Sequence, residues 1–275
     1  MRITLCGTRG SVGRAGGKTV RYGGDTSSVA VQGRDGDLLI LDAGSGIANA
    51  HDLIGPDVSR IDILLTHLHM DHIQGLGFFR PLYNPAIETH IWGPVSTTAG
   101  LASRLSRYLS PPLFPVRLRD LQSVHLHDVP PGSFEVPGFA VSADLVIHPG
   151  PTLGYRVEEN SHSIAYVPDH EPILGSPVLT DPAWLSGLAI IQDVELLIHD
   201  AQYSDGEYQA KVGWGHSSYS HALALAQTAG VRTLVTFHHD PEHTDDELDQ
   251  LHDELRKAEP EFELVPGLAG AVLEV

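Results

Sequence analysis

What this chain lacks narrows it before any motif is read. It has one cysteine, Cys6, in 275 residues. No intrachain disulfide can form and no cysteine-based zinc site exists, which fits a reducing compartment. Cations are also scarce: 17 Lys and Arg stand against 35 Asp and Glu, a formal charge of −18. Long nucleic acids are held by clustered cations that displace phosphate counterions, so a long nucleic acid is not the expected partner. No apolar run approaches the roughly 20 residues that a membrane-crossing helix needs. The opening segment MRITLCGTRGS lacks the apolar stretch of a secretory leader. A cytoplasmic protein with no membrane partner is the expectation, and a homodimer is left open. The apolar fraction of 41% still suffices for a substantial core.

Histidine is what the chain has in plenty, 17 of them, as many as Lys plus Arg. Most must be solvated or packed, so spacing has to select among them. Residues 66–75 read THLHMDHIQG, directly after the apolar run IDILL. In an extended segment alternate side chains share a face, so His67 and His69 can reach one metal ion together. Asp71 and His72 fall where the chain turns into a helix, point elsewhere, and can hold a second ion. A plain histidine-rich loop would need no such spacing.

Strand tips supply further polar residues. A strand holds a side chain rigidly while the loop beyond leaves an open face. His148 ends VSADLVIH, Asp169 ends SIAYVPD, His199 and Asp200 end ELLIHD, and His238 and His239 end TLVTFHH. Asp42 ends LLILD ahead of Ala-Gly-Ser-Gly. It suits either a turn or a carboxylate that accepts a ring N–H from a ligand histidine and sets its tautomer.

Strands are expected at Arg2–Cys6, Ser28–Gln32, Leu38–Leu41, Asp62–Leu65, Thr89–Trp92, Ser123–Leu126, Phe139–Ile147, Leu153–Val157, Ser163–Val167, Glu195–Ile198 and Thr233–Phe237. Helices are expected near residues 96–109, 218–229 and 244–258. The second begins after Ser217 and Ser218 and ends at Gly230. The third opens on Thr244-Asp-Asp-Glu247, a capping box. The chemistry-bearing motifs run from position 42 to position 239 with no clear linker or repeat, so one domain over residues 1–275 is expected. Arg104, Arg107, Arg117 and Arg119 form the basic cluster, interrupted by SPPLFPV. It reads first as a solvated helix face and proline-rich turn, and second as a flap that meets an anionic substrate.

Together LDAGSG (41–46), THLHMDHIQG (66–75), HPGPTLGYRVE (148–158), AYVPD (165–169), HDAQY (199–203), GHSS (215–218) and FHHDP (237–241) resemble the metallo-β-lactamase superfamily, in particular its RNase Z-like phosphodiesterases. The resemblance implies an αββα sandwich and two divalent ions. His67, His69 and His148 would hold one, Asp71, His72 and His238 the other, and Asp169 both. His239 competes with His238. Nitrogen and carboxylate donors suit zinc, manganese and iron, with zinc the leading expectation. Metal-assisted hydrolysis follows, with a metal-bound water as nucleophile and Asp71 also accepting its proton.

The resemblance further implies that Asp200 orients His216, whose imidazolium assists the leaving oxygen. The chain departs from the RNase Z pattern in carrying Asp200 where those enzymes usually carry Glu, and in lacking their long basic tRNA-clasping arm. A small phosphodiester such as a cyclic nucleotide is therefore the leading substrate expectation. RNA 3′-processing, thioester, lactone or β-lactam hydrolysis, and a non-catalytic metal-stabilised sensor are the rivals.

Overall fold

The computed structural model describes residues 1–174 and 182–275. Fourteen strands are found among the described residues, in two seven-stranded sheets. The first sheet is built from β1 (Arg2–Gly7), β2 (Ser28–Gln32), β3 (Leu38–Leu41), β4 (Arg60–Leu64), β5 (Glu88–Pro94) and β6 (Val124–Val129), with the C-terminal β14 (Val272–Glu274) beside β1. The second holds β7 (Gly132–Val136), β8 (Phe139–Leu145), β9 (Leu153–Glu159), β10 (His162–Val167), β11 (Leu196–Asp200), β12 (Thr233–Phe237) and β13 (Glu263–Pro266) in reverse order. Strands β3 to β6 are parallel, as are β10 to β13, and the remaining pairs are antiparallel.

The central strands are apolar on both faces because both faces are covered. In β3, Leu39 and Leu41 point into the core between the sheets, where Tyr155, Val157, Ile164, Tyr166, Ile198 and Val235 of the second sheet meet them. Ile40 between them points outward, with Ile61, Ile63 and Ile91, against Ile47, Leu76, Leu101 and Phe114. On the far side Ala165, Leu197 and Leu234 pack against Ala222, Leu225, Leu248 and Leu255. The result is the expected sandwich, two sheets face to face with helical layers outside.

The helices are α1 (Met70–Ile73), α2 (Leu101–Leu105), α3 (Leu188–Ile191), α4 (Asp205–Tyr208), α5 (Tyr219–Ala229) and α6 (Asp245–Arg256). The Ser218 side chain caps α5 and left-handed Gly230 ends it; Thr244 and Glu247 form the capping box of α6. The helix expected over 96–109 is reduced to Leu101–Leu105. Its apolar spacing is real, with Leu101, Leu105 and Leu109 all buried, but the chain beyond runs through turns into Ser110-Pro111-Pro112. Proline cannot extend the hydrogen-bond ladder. Among the described residues no helix is long and apolar enough to cross a membrane.

Candidate metal centre and active site

The parallel strands deliver their polar tips to one end of the sandwich, the usual place for a site in sheets of this kind. Asp42 follows β3, His67 follows β4, Asp169 lies two residues past β10, Asp200 ends β11, and His238 follows β12. His148 stands three residues past β8 rather than at its tip. Asp71 and His72 ride on α1, immediately after His69.

These residues form two clusters whose donor atoms lie within 4.8 Å of one another: His67, His69 and His148; and Asp71, His72, Asp169 and His238. Asp169 faces both. Its Oδ2 is 3.7 Å from His67 Nε2 and 3.6 Å from His148 Nε2, while its Oδ1 is 3.0 Å from His72 Nε2 and 3.2 Å from His238 Nε2. All of these side chains are buried except that of His69, which is open to solvent.

The rings are oriented from behind. His72 Nδ1 lies 2.8 Å from Asp42 Oδ2, and His148 Nδ1 lies 2.8 Å from the Gly215 carbonyl. His67 Nδ1 is 3.0 Å from Thr66 Oγ1, which itself donates to Asp42. An oxygen acceptor on Nδ1 puts the proton there and leaves the Nε2 lone pair facing inward. His67 Nε2 is buried without a hydrogen bond. Convergent imidazole lone pairs around a shared carboxylate, one of them orphaned, fit divalent metal ions and suit little else. Asp42 is therefore more than a turn residue: it is fully buried, adopts φ 60°, and also accepts from the Thr66 amide and the Tyr166 hydroxyl.

Protonation states agree with that geometry at His67, His69 and His148, whereas at His72 burial is outweighed by the Asp169, Asp71 and Asp42 carboxylates, which raise its pKa well above the ordinary value. Burial holds His67 and His69 below the usual histidine range and pushes His148 down to about 4. Neutral imidazole is the ligating form. Burial would raise the Asp169 and Asp71 carboxyls, but the adjacent histidines hold both well below the usual range.

His216 and Asp200 meet at the same place. His216 Nδ1 is 2.8 Å from Asp200 Oδ2, so the shorter aspartate arm spans the gap. Asp200 also accepts from the amides of His170 and Gln202, which leaves it little freedom. The His216 ring stacks on His238 at 5.0 Å and stands edge-on to His148. Burial alone would depress the His216 pKa, but the Asp200 carboxylate raises it above the ordinary value.

Two histidines that end apolar runs are turned away. His199 Nδ1 bonds the Asp200 carbonyl and its Nε2 meets His170 Nδ1 at 2.9 Å. His239 Nε2 bonds the Gly267 carbonyl. Of the basic cluster, Arg104 and Arg107 line a cavity of about 470 Å³ with Leu68, Met70, Ile73, Tyr108 and Leu113; Arg117 and Arg119 do not line it. Leu68 and Met70 flank His69 in sequence, but none of the cluster residues lines this cavity.

Several residues that complete the site carry no motif. The Ser11 amide donates to Asp71 Oδ2 at 2.8 Å. Gly10 lies against the His238 ring so closely that no side chain fits between them. Arg9, fully buried, fixes this loop through the carbonyls of Gly23, Asp240 and His243. Glu171, also fully buried, accepts from Tyr208 and from the Gly213 and Gly215 amides, and so shapes the turn that presents His216. Only Glu171 left a sequence signal, an acid two residues after Asp169.

Two mixed sheets back to back, with paired His and Asp clusters at their strand ends, define a metallo-β-lactamase-fold hydrolase. The chain belongs to the β-lactamase superfamily: residues 38–239 match its domain model. It is similar to ribonuclease Z of Myxococcus xanthus, 26% identical over 258 residues that cover 80% of this chain and 83% of that protein. Its fold matches the metallo-β-lactamase fold protein YhfI of Bacillus subtilis, with a TM-score of 0.73 at 18% identity over 99% of both chains. It also matches a diphosphatase of the PhnP family, with a TM-score of 0.70 at 21% identity over 100% of this chain and 98% of that one.

Proposed function

We propose that this hydrolase is a dinuclear metal-dependent phosphodiesterase acting on a small phosphodiester, with a cyclic nucleotide the leading case. The observation that carries the reading is the Asp200–His216 pair, 2.8 Å apart and seated against both metal clusters. Hydrolysis of an acyl bond on this fold does not call for such a pair, whereas expulsion of an alkoxide from phosphorus does.

In this reading His67, His69 and His148 would hold one ion, Asp71, His72 and His238 the other, and Asp169 would serve both. Bound divalent ions would lower the pKa of a water and take up charge developing on the phosphoryl oxygens; zinc is the first choice, with manganese and iron suited as well. Asp42 fixes His72 directly and His67 through Thr66. Asp71, held by the Ser11 amide, keeps one edge toward the clusters and accepts a proton there. His216, kept protonated by Asp200, donates to the leaving oxygen. The cavity between Leu68, Tyr108 and Arg107 receives the part of the substrate that does not react, and Arg107 at its rim meets an anionic group.

A small substrate is favoured by the charge of −18. RNA 3′-processing is the second reading, favoured by the similarity to ribonuclease Z over most of the chain. We take residues 1–275 as one domain, because a single core cluster draws on both sheets, and place the protein in the cytoplasm on its one buried free thiol. The test is a substrate panel with metal content measured on the same sample: bis(p-nitrophenyl) phosphate, cyclic nucleotides, a tRNA precursor, a thioester, a lactone and nitrocefin. Phosphodiester turnover alone is expected. Turnover confined to the thioester, lactone or β-lactam would overturn the proposal, and preference for the tRNA precursor would replace it by the second reading.

A further inference from the structure

A second group of histidines lies on β5 and β6, at one lateral edge of the first sheet, and shares no residue with the clusters above. Strand β6 is the edge strand of that sheet, and its sequence places His125 and His127 on one face, two residues apart. Parallel pairing sets His90 of β5 directly beside His125, and Trp92 beside His127. Glu88 precedes His90 by two residues and shares its face. In β4 the neighbour of His90 is Asp62, the middle residue of that strand, whereas the candidate centre begins three residues past its end at His67.

The donor atoms of Glu88, His90 and His125 lie within 4.8 Å of one another. His90 is locked from one side: its Nδ1 is 2.9 Å from His127 Nε2, and His127 stacks on Trp92 at 3.9 Å. Its other nitrogen, Nε2, is buried and makes no hydrogen bond, with Glu88 Oε2 3.6 Å away. His125 stacks on His90 at 4.7 Å and makes no side-chain hydrogen bond among the described residues. Burial holds His90 below the usual histidine range, which leaves it neutral. The orphaned, buried ring nitrogen of His90 thus faces a carboxylate and a second imidazole that are both open to solvent.

We propose that Glu88, His90 and His125 form a separate divalent-metal site, with two nitrogens and one carboxylate oxygen as ligands and a position open to water. Such a donor set suits zinc. His127 orients His90 from behind, as hydrogen-bond partners of ligand histidines do. The ion would tie the edge strand β6 to β5.

The test is equilibrium dialysis of the full chain against Zn²⁺, followed by metal counting on wild type, His125→Ala and Glu88→Gln. Wild type is expected to retain one more zinc per chain than His125→Ala. Glu88→Gln should weaken that zinc by at least about tenfold. Hydrolytic activity at saturating metal should be unchanged in both, because neither residue belongs to the clusters around His67 and Asp71. Equal zinc content in wild type and folded His125→Ala would overturn the proposal. Should that variant fail to fold, Glu88→Gln decides, because Glu88 is 63% exposed and its loss leaves the packing intact. The readout is a difference between wild type and variant, so it is independent of the main centre and its chemistry.

Discussion

Gly10→Ala tests whether the metal centre depends on the loop behind it. A Cβ on Gly10 would lie 2.4 Å from His238 Nδ1 and 2.5 Å from its Cε1. Ordinary contacts begin near roughly 3.5 Å, so the ring must retreat by about 1 Å. It has nowhere easy to go. Its far side is stacked on His216 at 5.0 Å and on His72 at 5.3 Å, and the His238 backbone sits at φ 58°. Gly10 itself is held by its amide bond to the His239 carbonyl. Overpacking of this kind costs about 1–3 kcal/mol of stability, and a 1 Å misplacement near the chemistry costs about 10²-fold in rate. The variant is therefore expected to lose about 10²-fold in kcat/KM on bis(p-nitrophenyl) phosphate, to bind the second metal ion more weakly, and to show a lower denaturation midpoint. Gly17→Ala is the control, because nothing lies within 4 Å of a Cβ there. Wild-type kcat/KM and full metal content in Gly10→Ala would refute the placement of His238 as a ligand.

His216→Ala should lose roughly 10²–10⁴-fold on a substrate with a poor leaving group and less on a p-nitrophenyl ester; parallel plots of log kcat against leaving-group pKa for wild type and variant would exclude proton donation by His216. Asp42→Ala should weaken metal binding by about 10–100-fold, and should cost about 1–3 kcal/mol for each buried donor it strands at Thr66 and Tyr166; unchanged metal affinity in a competition titration would show that His72 orients itself. The raised His216 pKa has a definite sign: protonation stabilises the fold, fully so below the unfolded value near 6.5, and the benefit is lost as pH rises through the higher folded value. Denaturant midpoints of wild type minus His216→Gln should therefore fall with rising pH above about 6.5, and a flat difference would contradict the Asp200 pairing.

The strands were legible because the inner ones are apolar on both faces, and each of the expected runs from Arg2–Cys6 to Thr233–Phe237 overlaps an observed strand; their stacking as a sandwich was expected from the family resemblance. The three strands that escaped, β7, β13 and β14, lie at sheet edges. Their exposure is mixed along the chain, as in Ser133, Glu135, Glu263 and Val272, so neither an apolar run nor a clean alternation marks them. The helix expected over 96–109 is longer than the observed one because Leu101, Leu105 and Leu109 keep helical spacing even though the backbone turns away after Leu105. At the site, polar residues at strand tips could be singled out from the sequence, whereas the preference for His238 over His239 came from the resemblance, and only the structure relates either ring to neighbouring atoms. The parts that act through backbone amides or through emptiness could not. The Ser11 amide, the missing side chain of Gly10 and the carbonyl of Gly215 are invisible to residue type, and Glu171 works by holding other backbone groups.

The placement of the clusters astride the two sheets has a mechanical consequence. Asp42, His67, His69, Asp71 and His72 belong to the end of the first sheet, and His148, Asp169, Asp200 and His238 to the end of the second. Buried carboxylates thus face each other across the seam at Asp71 and Asp169. Any cation that binds there fastens one half of the sandwich to the other. By mass action an ion at 100 times its Kd adds about 2.7 kcal/mol to the folded state. Chelation would then be felt along the whole seam, and a bound metal would serve the molecule as a rivet as well as a reagent.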